Sequence, residues 1–228
     1  MKLAKKPGRI RATGRCVCSV FAFLVVFSAI ACHTSGDPPQ KPSPVTPQRA
    51  ALIPQTAEAV GAALRPLVAS SKLASLRWPD FREVSGDTAK FYASRGYAPA
   101  WVDGAGPTAQ AKLVVSILQN AAQKGLDAED YDASRWDGRL QALKGPDADP
   151  AVFDVALSVS TMRYVSDLHI GRINPRHFNF GLDVDHKKYD LAHFIRERLL
   201  TATDIPALLD TVEPPFPGYR RTEQALAR

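Results

Sequence analysis

The most specific stretch of this chain is RYVSDLHIGRINPRHF, which begins at Arg163 and sets arginine, aspartate and histidine around a helix end and an Asn-Pro turn. Arg163 and Asp167 are four residues apart, so on a helix they share a face and can form an ion pair. Gly171 can end that helix in a left-handed conformation. Arg172 then follows the helix carboxyl end, where a cation is favoured, and Pro175 turns the chain away. We call this segment the corner.

Two functions fit the corner. It can be structural, turning the chain and tying it down through arginine hydrogen bonds. It can also be an arginine surface that faces a partner. The corner contains no recognisable set of catalytic side chains, so the first function is favoured and the second stays open.

Histidines and aspartates between residues 177 and 193 raise the question of a metal site. A calcium loop does not fit, because Lys188 stands where the loop needs glycine and Phe194 where it needs a bidentate glutamate. His186 and His193 are seven residues apart, unlike the short spacing of a zinc-binding helix pair. We therefore expect no metal and no cofactor.

Paired carboxylates could support glycoside hydrolysis. The candidates are Glu83, Asp87, Asp103, Asp127 and Asp130. Almost all of them lie at expected helix starts or turns, where such residues cap backbone N–H groups. A serine-based triad stays open, but no G-x-S-x-G elbow, phosphate loop or dinucleotide fingerprint occurs. We expect no catalytic residue in this chain.

A set of aromatic residues could stack on sugar rings or pack in a core. Several members have helical spacing beside aliphatic residues, which favours core packing. The set comprises Phe91, Tyr92, Tyr97, Trp101, Tyr131 and Trp136.

The amino-terminal segment has the pattern of a secretory signal. Its first fifteen residues contain six basic and no acidic residues, and an apolar run of sixteen residues follows. That run is short for a membrane span, which needs about 20 residues, so we expect residues 1–31 to be a signal peptide. Without them the chain carries 23 basic and 23 acidic residues. This balance argues against nucleic-acid binding.

The cysteines point to a lipid anchor. All three lie at positions 16, 18 and 32, so residues 33–228 contain neither a disulfide nor a thiol nucleophile. The sequence Ala-Ile-Ala before Cys32 resembles a bacterial lipobox, and we expect Cys32 to be lipidated; an ordinary cleavage site is the alternative. Residues 32–56 are proline-rich and predict an extended linker. With His33 next to the cysteine, the outer membrane is the favoured location.

From residue 57 onward the periodicity predicts a mainly α, compact multi-helix domain with short extended segments. Helices are expected near residues 57–67, 85–95, 108–125, 136–143 and 150–170, with further helices after Asp190 and Asp204 and at the carboxyl end. The strongest begins at Asp149-Pro150 and presents one apolar face. Alternation from Phe178 to Val184 predicts an extended segment. Predicted capping residues are Ser85, Thr108, Asp127, Asp149, Asp190 and Asp204.

Four stretches together resemble a known family. They are FYASRGYAPAWVDGAGPT, KGLDAEDY, TMRYVSDLHIGRINPRHF and EPPFPGYRRTEQALAR. In this order and spacing they resemble the amino-terminal scaffold domain of long bacterial murein L,D-transpeptidases. The resemblance spans residues 73–228. It includes Tyr97, Trp101 and Tyr131 in the first two stretches and the corner in the third.

The resemblance implies an exported protein of the bacterial cell envelope. Family members join stem peptides of peptidoglycan by 3→3 cross-links, and they carry a peptidoglycan-binding module and a catalytic domain with an S-H-G-C-x-R motif. No such motif occurs here. We therefore expect residues 57–228 to be a scaffold domain, truncated at its carboxyl end and not an enzyme alone. Its expected partners are peptidoglycan, the missing modules and a lipid-anchored membrane. The alternative is a stand-alone periplasmic lipoprotein that binds peptidoglycan or a partner transpeptidase.

Overall fold

A computed structural model describes residues 56–104, 106–172 and 188–226, and within these ranges the chain is mainly α-helical. Its elements divide into α-helices, one π-helix (Phe194–Leu199), one two-stranded antiparallel sheet and single 3₁₀ turns. The helices are α1 (Ala57–Ser70), α2 (Ser85–Ser94), α3 (Ala109–Gln119), α4 (Trp136–Ala142), α5 (Pro150–His169), α6 (Leu191–His193), α7 (Ile205–Asp210) and α8 (Pro217–Leu226). The π-helix continues α6. The strands are β1 (Val102–Asp103) and β2 (Gly106–Pro107). The 3₁₀ turns are Arg82–Val84, Ala121–Lys124, Ala128–Tyr131 and Ala133–Arg135.

The chain divides into two units, Met1–Gln48 and Arg49–Arg228, and every described residue belongs to the second. The expected signal peptide and most of the linker lie outside the described residues, as does the extended segment predicted from Phe178 to Val184. Among the described helices, none is both long and apolar enough to cross a membrane.

Most of the predicted caps are confirmed. Thr108, Asp127, Asp149, Asp190 and Asp204 each accept a backbone N–H two or three residues later. The predicted cap at Ser85 is wrong. Its hydroxyl donates instead to the carbonyl of Arg82 at 2.8 Å, because a 3₁₀ turn leads directly into α2 and places Ser85 inside the helix.

The long helix α5 forms the centre of the fold. Fourteen of its twenty residues are buried, and it packs against α1, α3, α6 and two of the 3₁₀ turns. The sequence predicted a single apolar face. The structure shows burial on nearly every side, because small residues such as Ser158, Ser160 and Thr161 lie between the larger ones and let neighbouring helices approach.

A buried polar network fastens α5 to the segment after α2. The two carboxylate oxygens of Asp154 accept the Tyr92 hydroxyl at 2.7 Å, the Trp101 N–H at 2.7 Å and the Ala100 N–H at 2.9 Å. Ser158 lies 2.8 Å from the Tyr92 hydroxyl and accepts the Trp101 indole N–H at 2.9 Å. Burial raises the pKa of Asp154, although these donors act in the opposite direction. Each of these buried donors and acceptors therefore has a hydrogen-bond partner.

Helix α1 packs closely on the same segment. A Cβ at Gly61 would lie 2.9 Å from the carbonyl oxygen of Tyr97, so this contact requires glycine. Tyr97 has a positive φ of 64°, and the guanidinium of Arg65 lies 4.1 Å from the centre of its ring. The R-G-Y-x-P-x-W segment is thus held between α1 and α5.

A charged cluster fastens the carboxyl-terminal helix. The ammonium group of Lys124 lies 2.6 Å from both Glu213 and Glu223 and 3.1 Å from Asp210. Arg220 lies 2.8 Å from the same Glu213, whose side chain is fully buried. Burial alone would lower the pKa of Lys124, but its hydrogen bonds to these carboxylates outweigh burial and raise it. Lys124 therefore joins the 3₁₀ turn after α3 to α8.

Replacing Asp154 with leucine should lower the free energy of unfolding by at least about 3 kcal/mol, because it leaves buried N–H and O–H donors unpaired. Asp154→Asn should cost less, since its amide oxygen can still accept from the backbone while the Tyr92 hydroxyl turns to accept from the amide. Urea denaturation measures both, with exposed Asp147→Asn as the control. Wild-type stability in the leucine variant would contradict this account.

Replacing Lys124 with methionine should lower stability by about 3 kcal/mol, because Glu213 stays buried with one cation fewer. The raised pKa sets the pH dependence. The lysine contributes fully below 10.5, its ordinary pKa, and the contribution disappears as pH rises through the higher folded value. The difference in the free energy of unfolding between wild type and variant should therefore be constant up to pH 10 and become smaller above it. The exposed Lys112→Met is the control; an equal loss there would refute the role of the cluster.

Candidate functional site

The carboxyl end of α5 forms the corner much as its sequence predicts. Ile170 donates its backbone N–H to Ser166 at 2.7 Å, and Gly171 follows with a φ of 92°, in the left-handed region. Arg172 then extends from the end of the helix, and its guanidinium lies 2.6 Å from a carboxylate oxygen of Asp130. The corner therefore joins α5 to the 3₁₀ turn Ala128–Tyr131.

Arg163 does not pair with Asp167, contrary to the prediction from their spacing. Its guanidinium lies 2.7 Å from Glu83 and also donates to the carbonyl oxygens of Trp78 at 3.2 Å and Asp80 at 2.8 Å. One planar guanidinium thus holds three positions of the segment before α2. These tertiary bonds outcompete an exposed pair along the helix, which contributes only about 0.5 kcal/mol.

Asp167 is bound by Tyr131 instead. The Tyr131 hydroxyl donates to its Oδ2 at 2.6 Å, across from the 3₁₀ turn to α5. Burial raises the pKa of Asp167, although the hydrogen bond from Tyr131 and the positive charge of Arg172 act to lower it. Burial and the Asp167 carboxylate also raise the pKa of Tyr131. The sequence had grouped Tyr131 with the core aromatics, and its ring is indeed fully buried while its hydroxyl reaches the corner.

These side chains surround a pocket of about 270 Å³, which we call the corner pocket. It brings together three of the predicted corner residues, Arg163, Asp167 and Arg172, with Tyr131 and the loop before α2. Its polar lining combines two arginines, three carboxylates and two hydroxyls. The lining residues are Trp78, Glu83, Val84, Asp130, Tyr131, Arg163, Ser166, Asp167 and Arg172.

Trp78 is the aromatic residue of this pocket that sequence reasoning missed. Its side chain is 52% exposed, whereas Trp101 and Trp136 are fully buried. Its indole N–H donates to Asp130 at 3.3 Å. The signal in the sequence is Trp-Pro in the short stretch between two helices, which places a tryptophan in a turn where no helical face can bury it.

The loop that carries Trp78 is held at several points. Arg135 and Arg139 both donate to the carbonyl of Ser75, at 2.8 and 2.7 Å. Arg77 donates its backbone N–H to the buried carboxylate of Asp132 at 2.8 Å. Together with the bonds from Arg163, these contacts fix the backbone on both sides of the tryptophan. The indole is therefore exposed in a defined position.

The other predicted positions lie elsewhere. Trp101 belongs to the Asp154 network, and Tyr97 packs under Arg65 beside α1. The core interpretation of the aromatic set is confirmed for its five buried members, and Tyr97 is partly buried. Pro175 and Cys32 lie outside the described residues.

Comparison with known protein families identifies the domain. A family model described as a scaffold domain matches residues 86–226, which is more than half of the chain. The chain belongs to the scaffold domain family. No curated protein and no solved structure matches it significantly.

The family match and the corner pocket overlap only in part. The scaffold-domain match begins at Gly86 and includes Asp130, Asp167 and Arg172. Trp78 and Glu83 come before it, on the loop and 3₁₀ turn that follow α1. The pocket is therefore built by the scaffold domain together with the segment that precedes it.

The chemistry available in the pocket is that of binding. Its described lining contains no thiol and no imidazole. Glu83 and Asp130 are engaged by arginines, and the proton of Tyr131 is held by Asp167. No group of three or more potential metal ligands occurs among the described residues, and His177 and His186 lie outside them. The pocket therefore presents arginine–carboxylate pairs and hydroxyl groups next to the indole of Trp78.

The backbone at the corner can be tested with a pair of glycine changes. Gly171→Ala should lower the free energy of unfolding by about 1–2 kcal/mol, because alanine disfavours the positive φ although no atom lies within 4 Å of the new Cβ. Gly86→Ala, inside α2 and equally open, should raise it by about 0.5–1 kcal/mol. Thermal and urea unfolding measure both. A change of the same sign in the free energy of unfolding of both variants would exclude backbone conformation as the cause.

Proposed function

We propose that this protein is the non-catalytic scaffold portion of a cell-wall L,D-transpeptidase. In this proposal it is exported, anchored in the bacterial outer membrane through a lipidated Cys32, and contributes to 3→3 cross-linking of peptidoglycan in the periplasm. The observation that carries the proposal is the match of residues 86–226 to a scaffold domain, in a chain whose four ordered motifs resemble that enzyme family.

The positions of the motif residues support a structural role for the motifs. The R-G-Y-x-P-x-W segment supplies Trp101 to the Asp154 network, and the G-L-D-x-x-D-Y turn supplies Tyr131 to Asp167. The third motif supplies Arg163, which holds the loop before α2. Each of these three motifs thus fastens α5 to another part of the domain. Residues 33–228 contain no cysteine, so the thiolate chemistry of the family has no nucleophile there.

The corner pocket favours a second candidate, a lipoprotein that binds peptidoglycan or a partner transpeptidase by itself. A framework that only supported other modules would not need an exposed, fixed tryptophan above a polar pocket. This candidate differs from the first in requiring binding without any attached module.

The first test is enzymatic. The purified chain from Cys32 onward is incubated with disaccharide tetrapeptides, alone and together with a separately produced peptidoglycan-binding and catalytic portion of an L,D-transpeptidase. We expect no cross-linked dimer from the chain alone, and complex formation or faster 3→3 cross-linking with the catalytic portion. Cross-linking by the chain alone would refute the proposal.

Sedimentation with purified sacculi separates the two candidates. A scaffold portion that depends on other modules stays in the supernatant, whereas a stand-alone binding protein is recovered in the pellet. The gene gives an independent test. A reading frame downstream of the Arg228 codon that encodes S-H-G-C-x-R supports the first candidate.

The anchor is tested by labelling cells with a radioactive fatty acid. Wild-type protein should incorporate the label and fractionate with the outer membrane, and Cys32→Ala should do neither. Because the thiol is the acceptor of the lipid in this proposal, label in the variant would exclude Cys32 as the site.

A further inference from the structure

Trp78 is the feature of the fold that no structural role explains. The chain has three tryptophans, and the other two are fully buried. Trp78 is 52% exposed, yet its backbone is fixed by Arg163 and its indole N–H is bound by Asp130. A large aromatic surface that is immobile and open to water is prepared for a ligand at little cost in conformational entropy.

The polar groups beside Trp78 are already neutralised in pairs. Arg163 is paired with Glu83, and Arg172 with Asp130. Asp167 receives the Tyr131 hydroxyl on its Oδ2. An anionic ligand would have to displace a carboxylate from an arginine, and a cationic ligand would have to compete with an arginine for its carboxylate. Charged ligands are therefore disfavoured relative to neutral polar ones.

Hydrogen-bonding capacity nevertheless remains in the lining. The side chains of Arg172 and Glu83 are 48% and 52% exposed, so each presents donor or acceptor positions beyond its ion pair. Asp167 uses only Oδ2 for Tyr131, and Ser166 adds a hydroxyl to the same wall. Carboxylates accept short, strong bonds from hydroxyl donors. Acceptors and donors thus alternate next to an indole.

We propose that the corner pocket binds a sugar ring of a neutral glycan. The indole of Trp78 packs against the apolar C–H face of the ring. Asp167 and Glu83 accept hydrogen bonds from its hydroxyl groups, and Arg172 donates a hydrogen bond to a ring or acetamido oxygen. A polyhydroxylated neutral ring uses the remaining donors and acceptors without breaking an ion pair.

The size of the pocket limits what it can enclose. Its volume, about 270 Å³, lies just below the range of about 300–1,000 Å³ that is typical of sites for drug-sized ligands. It therefore holds one ring, and the neighbouring rings of the glycan extend over the surface. Such a small contact predicts a dissociation constant on the order of 1 mM.

The sugar-binding chemistry does not depend on the proposed function. Only the choice of an N-acetylated glycan, the type found in peptidoglycan, rests on it. The two proposals also fail separately, because cross-linking assays test the first and direct binding of soluble oligosaccharides tests the second.

The experiment titrates the full mature chain with chitotriose and, separately, with cellotriose, which lacks the acetamido groups. Trp78 provides the signal, because Trp101 and Trp136 are fully buried. Saturable protection of the emission from acrylamide quenching is expected, with chitotriose bound more tightly if the glycan is N-acetylated. Binding of cellotriose alone would support a sugar site and refute its assignment to peptidoglycan.

Variants are compared by calorimetry, which needs no tryptophan. Trp78→Ala should weaken binding by about tenfold or more, and Trp78→Phe should largely restore it because an aromatic surface remains. Arg172→Gln should weaken binding with only a small change in stability, because its side chain is half exposed. Phe216→Ala removes another exposed aromatic side chain, 66% exposed and outside the pocket lining, and should bind as wild type does.

Three results would overturn the proposal. The first is the absence of saturation by either oligosaccharide at tens of millimolar, on the order of ten times the expected dissociation constant. The second is unchanged sugar binding in Trp78→Ala. The third is that Phe216→Ala weakens sugar binding as much as Trp78→Ala does. A trilysine peptide serves as the cationic probe. Binding of that peptide at Trp78 without binding of either sugar would also overturn the proposal, in favour of a peptide site.

Discussion

The carboxylate of Asp154 is the contact on which the rest of this fold depends. It lies inside the domain and gathers donors from the Tyr92 hydroxyl and the backbone of Ala100 and Trp101. A buried carboxylate is costly unless its oxygens are satisfied, so these segments must come together whenever the chain is folded. The same contact places Trp101 against α5. The segment after α2 thereby packs on the central helix, alongside the other helices that surround it.

The helix that Asp154 fixes also builds the corner pocket. Arg163, Ser166 and Asp167 lie on α5, more than two turns after Asp154. Because an α-helix is stiff over this distance, fixing its first half also fixes the position of its last two turns. Arg163 then transmits that position to the loop of Trp78 through hydrogen bonds to two carbonyl groups. The exposed indole is thus positioned from the core.

Local signals predicted the helices well and the site only in part. Aspartate and threonine caps, the Asp149-Pro150 start and the Gly171 stop were readable because they act within a few residues. The Arg163–Asp167 pair was predicted wrongly, since its competitor Glu83 is eighty residues away in sequence. Trp78 was missed for the same reason. Its exposure and its position depend on Asp130, Arg163 and the arginines that hold Ser75, and sequence spacing reveals none of these partners.

Arginine is suited to the role it has in this loop. Its planar guanidinium donates in several fixed directions, so Arg163 can hold Trp78, Asp80 and Glu83 at once, which the single ammonium group of a lysine cannot do with the same geometry. Bonds to backbone carbonyls also resist salt better than exposed ion pairs do. Each of the pairs Arg163–Glu83 and Arg172–Asp130 has one half-exposed member and adds little stability, so their value lies in the donors and acceptors they hold beside the indole. Stability resides in the interior of α5, and the recognition chemistry resides at its end.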